Sequence, residues 1–422
     1  MFIFYNFIFS LILLFYLPIY LLKRKFHKGF LSRFARLKDY PQLFRPIWVH
    51  AVSLGEALSI KLLIEDLRKS LPQAQFIFTT VTPTGNKIAR SIATDRDFVT
   101  YLPFDFSFVM RRFINKLNPS LLIIAETEIW PNLISILFSR HIPIIVVNGR
   151  ISDSSFRGYK ILKPFIKPVL NRVTVFCVQS PVDRRRLIEL GVAESKIIVS
   201  GNLKFDNRSA ALQAPANLRA QIGLRAEDLL FVCGSTHPQE EEVILAAYKQ
   251  LLREFRNLKL LIAPRHPERC KDVASIISRA GYRAVFVSDS APCQNCLTHP
   301  VFILDTVGEL RNFYNIADIV FVGGSLVKKG GHNNLEPAIL GKPVLFGPFM
   351  HNFRDIAQLF LANNAAVMVS GRDELVDAIH RLLNDTKEME QIVLRAYEVI
   401  SANRGAAQKD LNQILAVINR GE

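Results

Sequence analysis

The stretch IWVHAVSLGE, residues 47–56, decides the fold, because an apolar run turns there directly into a helical pattern. Ile47–Val52 is typical of a short buried strand, and apolar residues recur at helical spacing after Gly55. Open α/β sheets bind ligands at the carboxyl ends of their strands, so Glu56 stands where such a protein places its chemistry. The alternative is that Glu56 is only a first-turn carboxylate that the helix dipole stabilises.

The same alternation of apolar runs and helical patterns continues along the chain in two blocks. The first block predicts strands at Ile47–Val52, Gln75–Thr80, Phe98–Tyr101, Leu121–Ala125, Ile142–Val147 and Val173–Val178. The second predicts strands at Leu229–Cys233, Lys259–Ala263, Ala284–Val287, Phe302–Leu304, Ile319–Val322, Pro343–Phe346 and Ala366–Val369. Strands that alternate with helices indicate parallel sheets covered on both faces.

These blocks predict an α/β protein of two doubly wound, Rossmann-like domains that face each other across a cleft. The first domain spans residues 47–206, a polar linker spans 207–227, and the second domain spans 228–422. Ligand sites are expected at the carboxyl ends of the strands of both domains. Neither a Walker A sequence nor a G-x-G-x-x-G after the first strand occurs, so P-loop and dinucleotide-binding proteins are not supported.

The start of the chain and the net charge point to a membrane. Residues 1–22 carry no charged side chain, which predicts a membrane anchor, and a basic juxtamembrane segment follows at 23–46. The positive-inside rule then leaves the globular domains in the cytosol, at the inner membrane of a bacterium. A helix that lies in the membrane interface is the alternative. The net charge of +16 suggests an anionic partner, such as anionic lipid or a phosphorylated ligand.

The five cysteines are an odd number, and most lie in apolar segments, which indicates free thiols in a reducing compartment. Cys293 and Cys296 form a single C-x-x-C pair. A zinc site is not expected there, because no second such pair lies nearby.

Two segments of the first domain carry further candidate residues. Glu126 and Glu128 follow an apolar strand in AETEIWPN, residues 125–132, and carboxylates at a strand end are costly unless they are partnered. Lys204 lies in GNLKFD, residues 201–206, close to the domain junction, from which it can reach an anion. The alternatives are electrostatic stabilisation of a helix start and an ordinary solvated lysine.

Five strand ends of the second domain favour a nucleotide site, because together they supply glycine, arginine, histidine, asparagine and glutamate. The segments are Gly234–His237, Pro264–Pro267, Asp305–Leu310, Gly323–Ser325 and Gly330–Pro337. Amides and hydroxyls at a helix start suit an anion. We therefore expect Ser235, Thr236, Gly324 and Ser325 to contact a phosphate or sugar.

The chain resembles the transferases of 3-deoxy-D-manno-octulosonic acid (Kdo), membrane-anchored glycosyltransferases of lipopolysaccharide synthesis. The motifs that carry the resemblance span nearly the whole chain in order: HAVSLGE, TTVTPTG, ETEIWPN, GNLKFD, STHPQEE, APRHPER, DTVGEL and VGGSLVKKGGHNNLEPAILGKPVLFGP. The resemblance implies a glycosyltransferase B fold, CMP-Kdo as donor, the lipid A precursor as acceptor, and inversion at the anomeric carbon.

The resemblance also implies roles for individual residues. Glu56 is similar to the family's catalytic base, while Glu126 and Lys204 are similar to positions that stabilise the transition state. The implied CMP site consists of Pro264, Arg265, His266, Gly308, Glu309, Leu310, Asn333, Asn334, Leu335 and Glu336. No cofactor and no metal are implied, since the cationic side chains can take a metal's place.

Two other functions remain as alternatives. One is a glycosyltransferase of the same fold that uses a UDP-sugar and another lipid acceptor; HAVSLGE and ETEIWPN argue against it. The other is a basic nucleic-acid-binding protein. Its basic residues cluster most plainly beside the apolar start of the chain rather than with exposed aromatic residues, so no nucleic-acid partner is expected.

Overall fold

The computed structural model of the protein describes residues 5–7, 9–11, 14–15, 31–35, 40–206, 217–289 and 299–420. The chain divides into two units. Residues Met1–Asn207 and Asn403–Glu422 form the first unit, and Arg208–Ala402 form the second. Each unit contains one parallel sheet with helices, so the predicted pair of doubly wound α/β domains is confirmed.

The sheet of the first unit has seven parallel strands in the order β3-β2-β1-β4-β5-β6-β7. Its strands are β1 (Ile47–His50), β2 (Phe76–Thr80), β3 (Phe98–Tyr101), β4 (Leu121–Ala125), β5 (Ile144–Gly149), β6 (Val175–Val178) and β7 (Ile197–Val199). Strands β1, β2 and β4 are buried throughout, as expected of a parallel sheet that is covered on both faces. The sequence analysis missed β7, which has only three residues.

The first unit has eight helices between its strands in the described residues, and several of them begin at a capping side chain. They are α1 (Leu54–Ser59), α2 (Lys61–Ser70), α3 (Pro83–Ile92), α4 (Ser107–Leu117), α5 (Pro131–Ser139), α6 (Asp153–Ile161), α7 (Lys163–Leu170) and α8 (Pro181–Glu189). The side chains of Ser53, Thr82 and Ser180 cap α1, α3 and α8. The helical pattern that follows Gly55 is interrupted at Ile60, so it forms two helices rather than one.

The sheet of the second unit also has seven parallel strands, in the order β10-β11-β9-β8-β12-β13-β14. They are β8 (Leu229–Thr236), β9 (Leu258–Pro264), β10 (Arg283–Phe286), β11 (Pro300–Ile303), β12 (Ile319–Val322), β13 (Val344–Phe346) and β14 (Val367–Met368). Its helices are α9 (Leu218–Gln221), α10 (Glu240–Leu251), α11 (Cys270–Arg279), α12 (Leu310–Ile316), α13 (Leu335–Ile339), α14 (Arg354–Ala362), α15 (Arg372–Asn384) and α16 (Thr386–Ala402).

The last helix, α17 (Ala406–Asn419), belongs to the first unit, so the predicted second domain of 228–422 is too long at its end. Leu411 and Ile414 of α17 are buried in the same apolar cluster as Val49 and Ile123 of β1 and β4. The Asp206 carboxylate accepts hydrogen bonds from the amides of Gly405 at 2.6 Å and Ala407 at 2.5 Å, which satisfies the start of α17.

Several predictions concern residues that the structure does not describe or describes only in part. Among the described residues, no helix combines the length and the apolar character needed to cross a bilayer. The predicted anchor of 1–22 and the basic segment of 23–46 lie largely outside those residues, as does the first half of the linker. Cys293 and Cys296 lie outside them entirely.

Candidate functional site

The first candidate site lies where the strand order of the first sheet reverses. From β1 the chain builds the sheet outward through β2 and β3, and β4 then pairs with β1 on its other side. The carboxyl ends of β1 and β4 therefore flank a topological switch point, the place where open sheets bind ligands. Glu56 follows β1, and Glu126 follows β4 directly.

Glu56 caps its own helix and remains partly exposed. One carboxylate oxygen accepts from the Val52 amide at 2.7 Å, and the other accepts from the Ser53 hydroxyl at 2.9 Å. The Ser53 hydroxyl oxygen accepts from the Glu56 amide at 3.4 Å, which completes a capping box. Glu56 therefore does stabilise the start of its helix. This role does not exclude catalysis, because each carboxylate oxygen has a second lone pair that can accept a proton.

Burial raises the pKa of Glu56, and the nearby Glu126 carboxylate adds to the rise, while the hydrogen bonds from Val52 and Ser53 oppose it. We expected the helix start to favour the ionised form. Its hydrogen bonds do so, but desolvation outweighs them. The result is a more basic carboxylate than a solvated glutamate, which suits a group that must accept a proton.

Glu126 and Glu128 bring two further carboxylates to the same switch point. Glu126 has a φ of +57°, a left-handed conformation that non-glycine residues seldom adopt and that is common at functional sites. Burial raises the pKa of Glu128 to about 7, and the Glu56 and Glu126 carboxylates contribute. The sequence analysis named Glu128 beside Glu126 but assigned it no role.

Lys204 lies at the same sheet edge, in a 3-10 helix at Leu203–Asp206 that follows β7. The Asn148 side chain, at the end of β5, accepts from the Leu203 amide at 3.1 Å, and Asn202 accepts from the Lys204 amide at 3.0 Å. The lysine is half-buried rather than fully solvated. Asn148 thus holds the Lys204 segment to the sheet, a role that sequence analysis did not assign.

The second unit repeats this arrangement with different chemistry. Its strand order reverses between β8 and β12, which pair in parallel. Pro264 ends β9, the other neighbour of β8, and the Arg265 amide donates to the Thr236 carbonyl at 3.0 Å. The side chains of Arg265 and His266 are exposed at this edge, where they can meet an anionic ligand.

Three of the four predicted phosphate or sugar contacts have other partners. The Glu240 carboxylate accepts from the amides of Gly324 at 2.7 Å, Ser325 at 3.0 Å, Leu326 at 2.9 Å and His237 at 2.9 Å. The Thr236 hydroxyl donates to Glu241 at 2.9 Å, and the Ser325 hydroxyl donates to the Val322 carbonyl at 2.5 Å.

Both of these hydroxyl side chains are fully buried, so the prediction fails for Thr236 and Ser325 and for the Gly324 amide. A carboxylate of the protein itself already fills the amide nest that the sequence suggested for a ligand. Ser235 is partly exposed and stays a candidate.

The remaining residues of the predicted nucleotide site lie at two helix starts. Gly308 and Glu309 are exposed just before α12, and Leu310 begins that helix. Asn333 and Asn334 precede α13, which begins at Leu335 and Glu336 and contacts α12.

Two side chains in this region are unusually placed. Asn334 is fully buried, and neither atom of its side-chain amide has a hydrogen-bond partner within the described part of the chain. Burial raises the pKa of Glu336, and Arg311 opposes the rise. Polar groups left unsatisfied at a strand edge are consistent with a ligand site.

His237 and His332 also meet at the second switch point, and neither was a predicted site residue. Their Nε2 atoms lie 2.9 Å apart. Both histidines lie in motifs quoted in the sequence analysis: His237 directly follows β8, and His332 directly follows the pair Gly330-Gly331. Their positions in the sequence could therefore have marked them as candidates. In the residues that the structure describes, no group of three or more His, Cys, Asp or Glu side chains is arranged to hold a metal ion.

Comparisons with known proteins show which sequences and folds this chain resembles. A family profile described as 3-deoxy-D-manno-octulosonic-acid transferase (kdotransferase) matches residues 28–207. A 3-deoxy-D-manno-octulosonic acid transferase of Haemophilus influenzae is 35% identical, over 89% of this chain and 87% of the relative. One from Chlamydophila psittaci is 30% identical, over 88% and 86%. A glycosyltransferase structure from Rickettsia africae, 14% identical, matches with a TM-score of 0.57 over 90% of this chain and 99% of that one, which shows the fold alone.

Proposed function

Because the chain belongs to the 3-deoxy-D-manno-octulosonic acid (Kdo) transferase family, we propose that it transfers Kdo from CMP-Kdo to the lipid A precursor, lipid IVA. Membership makes the chain a glycosyltransferase of lipopolysaccharide synthesis. The donor, the acceptor and the residue roles below are our proposal.

One observation carries the proposed mechanism: Glu56 is a partly exposed carboxylate with a raised pKa at a topological switch point. We assign it the role of general base. It takes the proton from an acceptor hydroxyl while that oxygen bonds to the anomeric carbon of Kdo. The bond between this carbon and the phosphate oxygen breaks, and its electron pair leaves with CMP. The attack inverts the configuration of the anomeric carbon.

Glu126 and Lys204 are proposed to stabilise the charges of the transition state. The Glu126 carboxylate lies near enough to Glu56 to raise its pKa, and negative charge there favours the positive charge that develops on the sugar ring. Lys204, held by Asn148 and Asn202, supplies positive charge that can offset the departing phosphate.

The donor is proposed to bind at the second switch point. The exposed guanidinium of Arg265 suits bidentate contact with a phosphate. The half-buried Glu336 is suited to bind the nucleoside, whereas the neighbouring Asn334 is fully buried in the free protein. The segment Gly308–Leu310 lies on a strand end of the same sheet.

The membrane assignment is likewise a proposal. It rests on the uncharged residues 1–22 and the basic segment that follows, and it places the enzyme on the cytoplasmic face of the inner membrane with anionic lipid as a partner. In the described part of that segment, the Asn6 side chain donates to the Ser107 hydroxyl at 2.8 Å and accepts from the Asn132 side-chain amide at 2.7 Å. The start of the chain therefore contacts the unit that carries Glu56.

The test incubates the full-length protein in detergent with lipid IVA and with either CMP-Kdo or a panel of UDP-sugars. We expect mass spectrometry to show Kdo added to the lipid only with CMP-Kdo, and the mass increment gives the number of residues transferred. Heat-inactivated protein is the control. Transfer from UDP-sugars alone would contradict the proposed donor.

A further inference from the structure

His237 and His332 form a hydrogen-bonded pair that can hold one additional proton. Their Nε2 atoms are 2.9 Å apart, and their rings lie within 4° of parallel. A contact this short requires that one Nε2 carries a hydrogen and the other accepts it. The donor ring then has a free Nδ1, which can bind a further proton without breaking the bond between the rings. A second additional proton would have to bind the accepting Nε2, so that both Nε2 atoms carried a hydrogen and repelled each other. The pair therefore takes up one proton and not two.

The backbone holds both rings in this arrangement. The His237 amide donates to the buried Glu240 carboxylate at 2.9 Å, which fixes the first ring directly after β8. Both rings pack over Gly324, where a Cβ atom would come within 3.0 Å of His332 and 3.3 Å of His237. Gly324 also has a φ of +68°, a conformation that favours glycine. The pair is therefore a built feature of the loop after β12.

The charges around the pair are mostly positive. The cationic or titratable groups that act on it are Arg265, His266, Arg269 and Lys329, and the nearby carboxylates are Glu240 and Glu241. Both carboxylates are already satisfied, Glu240 by four amides and Glu241 by Arg269 at 2.9 Å. Arg265 and Lys329 are exposed and, within the described residues, form no ion pair.

This environment keeps the pair uncharged in the free protein. Burial lowers the pKa of His332 to about 4, and Arg265 and the two other histidines add to the effect. Burial also lowers the pKa of His237, with help from His266, Lys329 and the two arginines. An anion bound among these cations would reverse the balance, because its negative charge favours the protonated imidazole.

We propose that the His237–His332 pair binds the phosphate of the donor nucleotide and takes up one proton when that phosphate arrives. This rests on the proposed donor. When the bond from the anomeric carbon to the phosphate oxygen breaks, the electron pair stays on that oxygen. The protonated pair then faces the added negative charge, and its proton can pass to the phosphate, which returns the pair to its neutral form. The two histidines thereby supply charge that the free protein does not carry.

Calorimetry of the full-length protein tests the proposal. CMP is titrated at pH 7.5 in buffers with different ionisation enthalpies, and the dependence of the observed heat on the buffer gives the protons taken up. We expect net uptake approaching one proton per CMP and none with cytidine, which lacks the phosphate. His332→Gln and His237→Gln should each abolish the uptake and weaken CMP binding about tenfold or more, the value of a lost charged hydrogen bond. His380→Gln, an exposed histidine that pairs with Glu254, is the matched control and should behave as wild type.

The outcomes separate two failures. If the wild-type protein does not bind CMP, the proposed donor is wrong. If it binds CMP without proton uptake, or if uptake persists in both glutamine variants, the proposed role of the pair is wrong and the donor stands. Should the variants not fold, nitrogen-15 NMR of histidine-labelled wild-type protein decides, since it reads the protonation of each ring with and without CMP. Unchanged ring signals on CMP binding would also overturn the proposal.

Discussion

The two units place a glutamate in the first turn of the helix that follows their first strand, and they use it in opposite ways. Glu240 is fully buried and accepts four backbone amides. Glu56 is partly exposed and accepts one amide and one hydroxyl. The four donors and the full burial leave Glu240 no access to a ligand, whereas Glu56 keeps both access and lone pairs. The topology determines where a carboxylate stands, and the number of its donors determines whether it can do chemistry.

The same contrast holds for the charges around the two switch points. The first has three mutually repelling carboxylates, and the second has two imidazoles among arginines and a lysine. Each unit also sets one non-glycine residue in the left-handed region near a switch-strand end, Glu126 with a φ of +57° and Ser235 with a φ of +58°. The backbone conformation is thus similar at the two switch points. The side chains differ: carboxylates suit the first to accept a proton, and cationic groups suit the second to bind an anion.

The largest expected effect is on catalysis by Glu56→Gln. The amide keeps the size of the side chain and can still accept from Val52, but it cannot take a proton at neutral pH. We expect kcat to fall about 10²- to 10⁴-fold, the usual contribution of a general base, while CMP affinity and melting temperature stay within error. Ser53→Ala, which removes the cap but not the carboxylate, is the control and should retain most of the activity. A Glu56→Gln enzyme with wild-type kcat would end the assignment.

Glu240→Ala should lower the stability of the protein, in contrast to Glu56→Gln, which should lower kcat and leave stability unchanged. Four amide donors would lose their acceptor, and each buried unsatisfied donor costs about 1–3 kcal/mol, so we expect a loss of more than about 3 kcal/mol. Hydrogen exchange followed by mass spectrometry should rise in the second unit around β12 and α10, with the first unit as internal reference. If the variant is as stable as wild type yet inactive, Glu240 acts on substrate and the comparison above fails.

The sequence predicts most of the fold but less of the site. The buried strands were predictable because their apolar runs are unbroken, but Ile197–Val199 is too short to show a period. The placement of α17 was not predictable, since chain order assigns it to the second domain and only the contact with Asp206 and the core of β1 and β4 shows otherwise.

For the site, the positions of Glu56, Glu126, Lys204 and Arg265 followed from strand ends and from the resemblance. The pKa of Glu128 depends on the Glu56 carboxylate, and the Gly324 amide is taken by the Glu240 carboxylate; both partners are far away along the chain, so spacing along the sequence does not reveal them. The partners of Thr236 and Ser325 lie within five residues, but their bonds depend on the local backbone conformation, which the sequence pattern does not give.

Glu128 in the first unit and His332 in the second should also make opposite contributions to the pH dependence of stability. Between pH 4.5 and about 7 the folded state keeps Glu128 protonated while the unfolded chain ionises it, so the first unit loses stability as the pH rises, by up to about 3 kcal/mol. Between pH 6.5 and about 4 the unfolded chain protonates its histidines while His332 stays neutral, so the second unit loses stability as the pH falls.

Hydrogen exchange between pH 4.5 and 7.5, corrected for intrinsic rates, measures this in each unit separately. Glu128→Gln should weaken the pH dependence of the first unit only, where Asp105, whose pKa burial also raises to about 7, keeps a further part. His332→Gln should weaken that of the second unit only. The same slope in both units, or slopes that the two substitutions leave unchanged, would show that other groups govern the pH response.

The smallest expected effect concerns the helix that the first unit takes from the end of the chain. Asp206→Ala removes the acceptor of the Gly405 and Ala407 amides and should cost about 1–2 kcal/mol, as for other helix caps. Exchange should rise in α17 and in the strands of the first unit beneath it. Asp385→Ala is the matched control, because Asp385 accepts the Glu388 amide at 3.0 Å at the start of α16 in the second unit. If Asp206→Ala loosened only the second unit, α17 would belong to that unit, and other residues would have to cover the buried face of β1 and β4 in the sheet of the first unit.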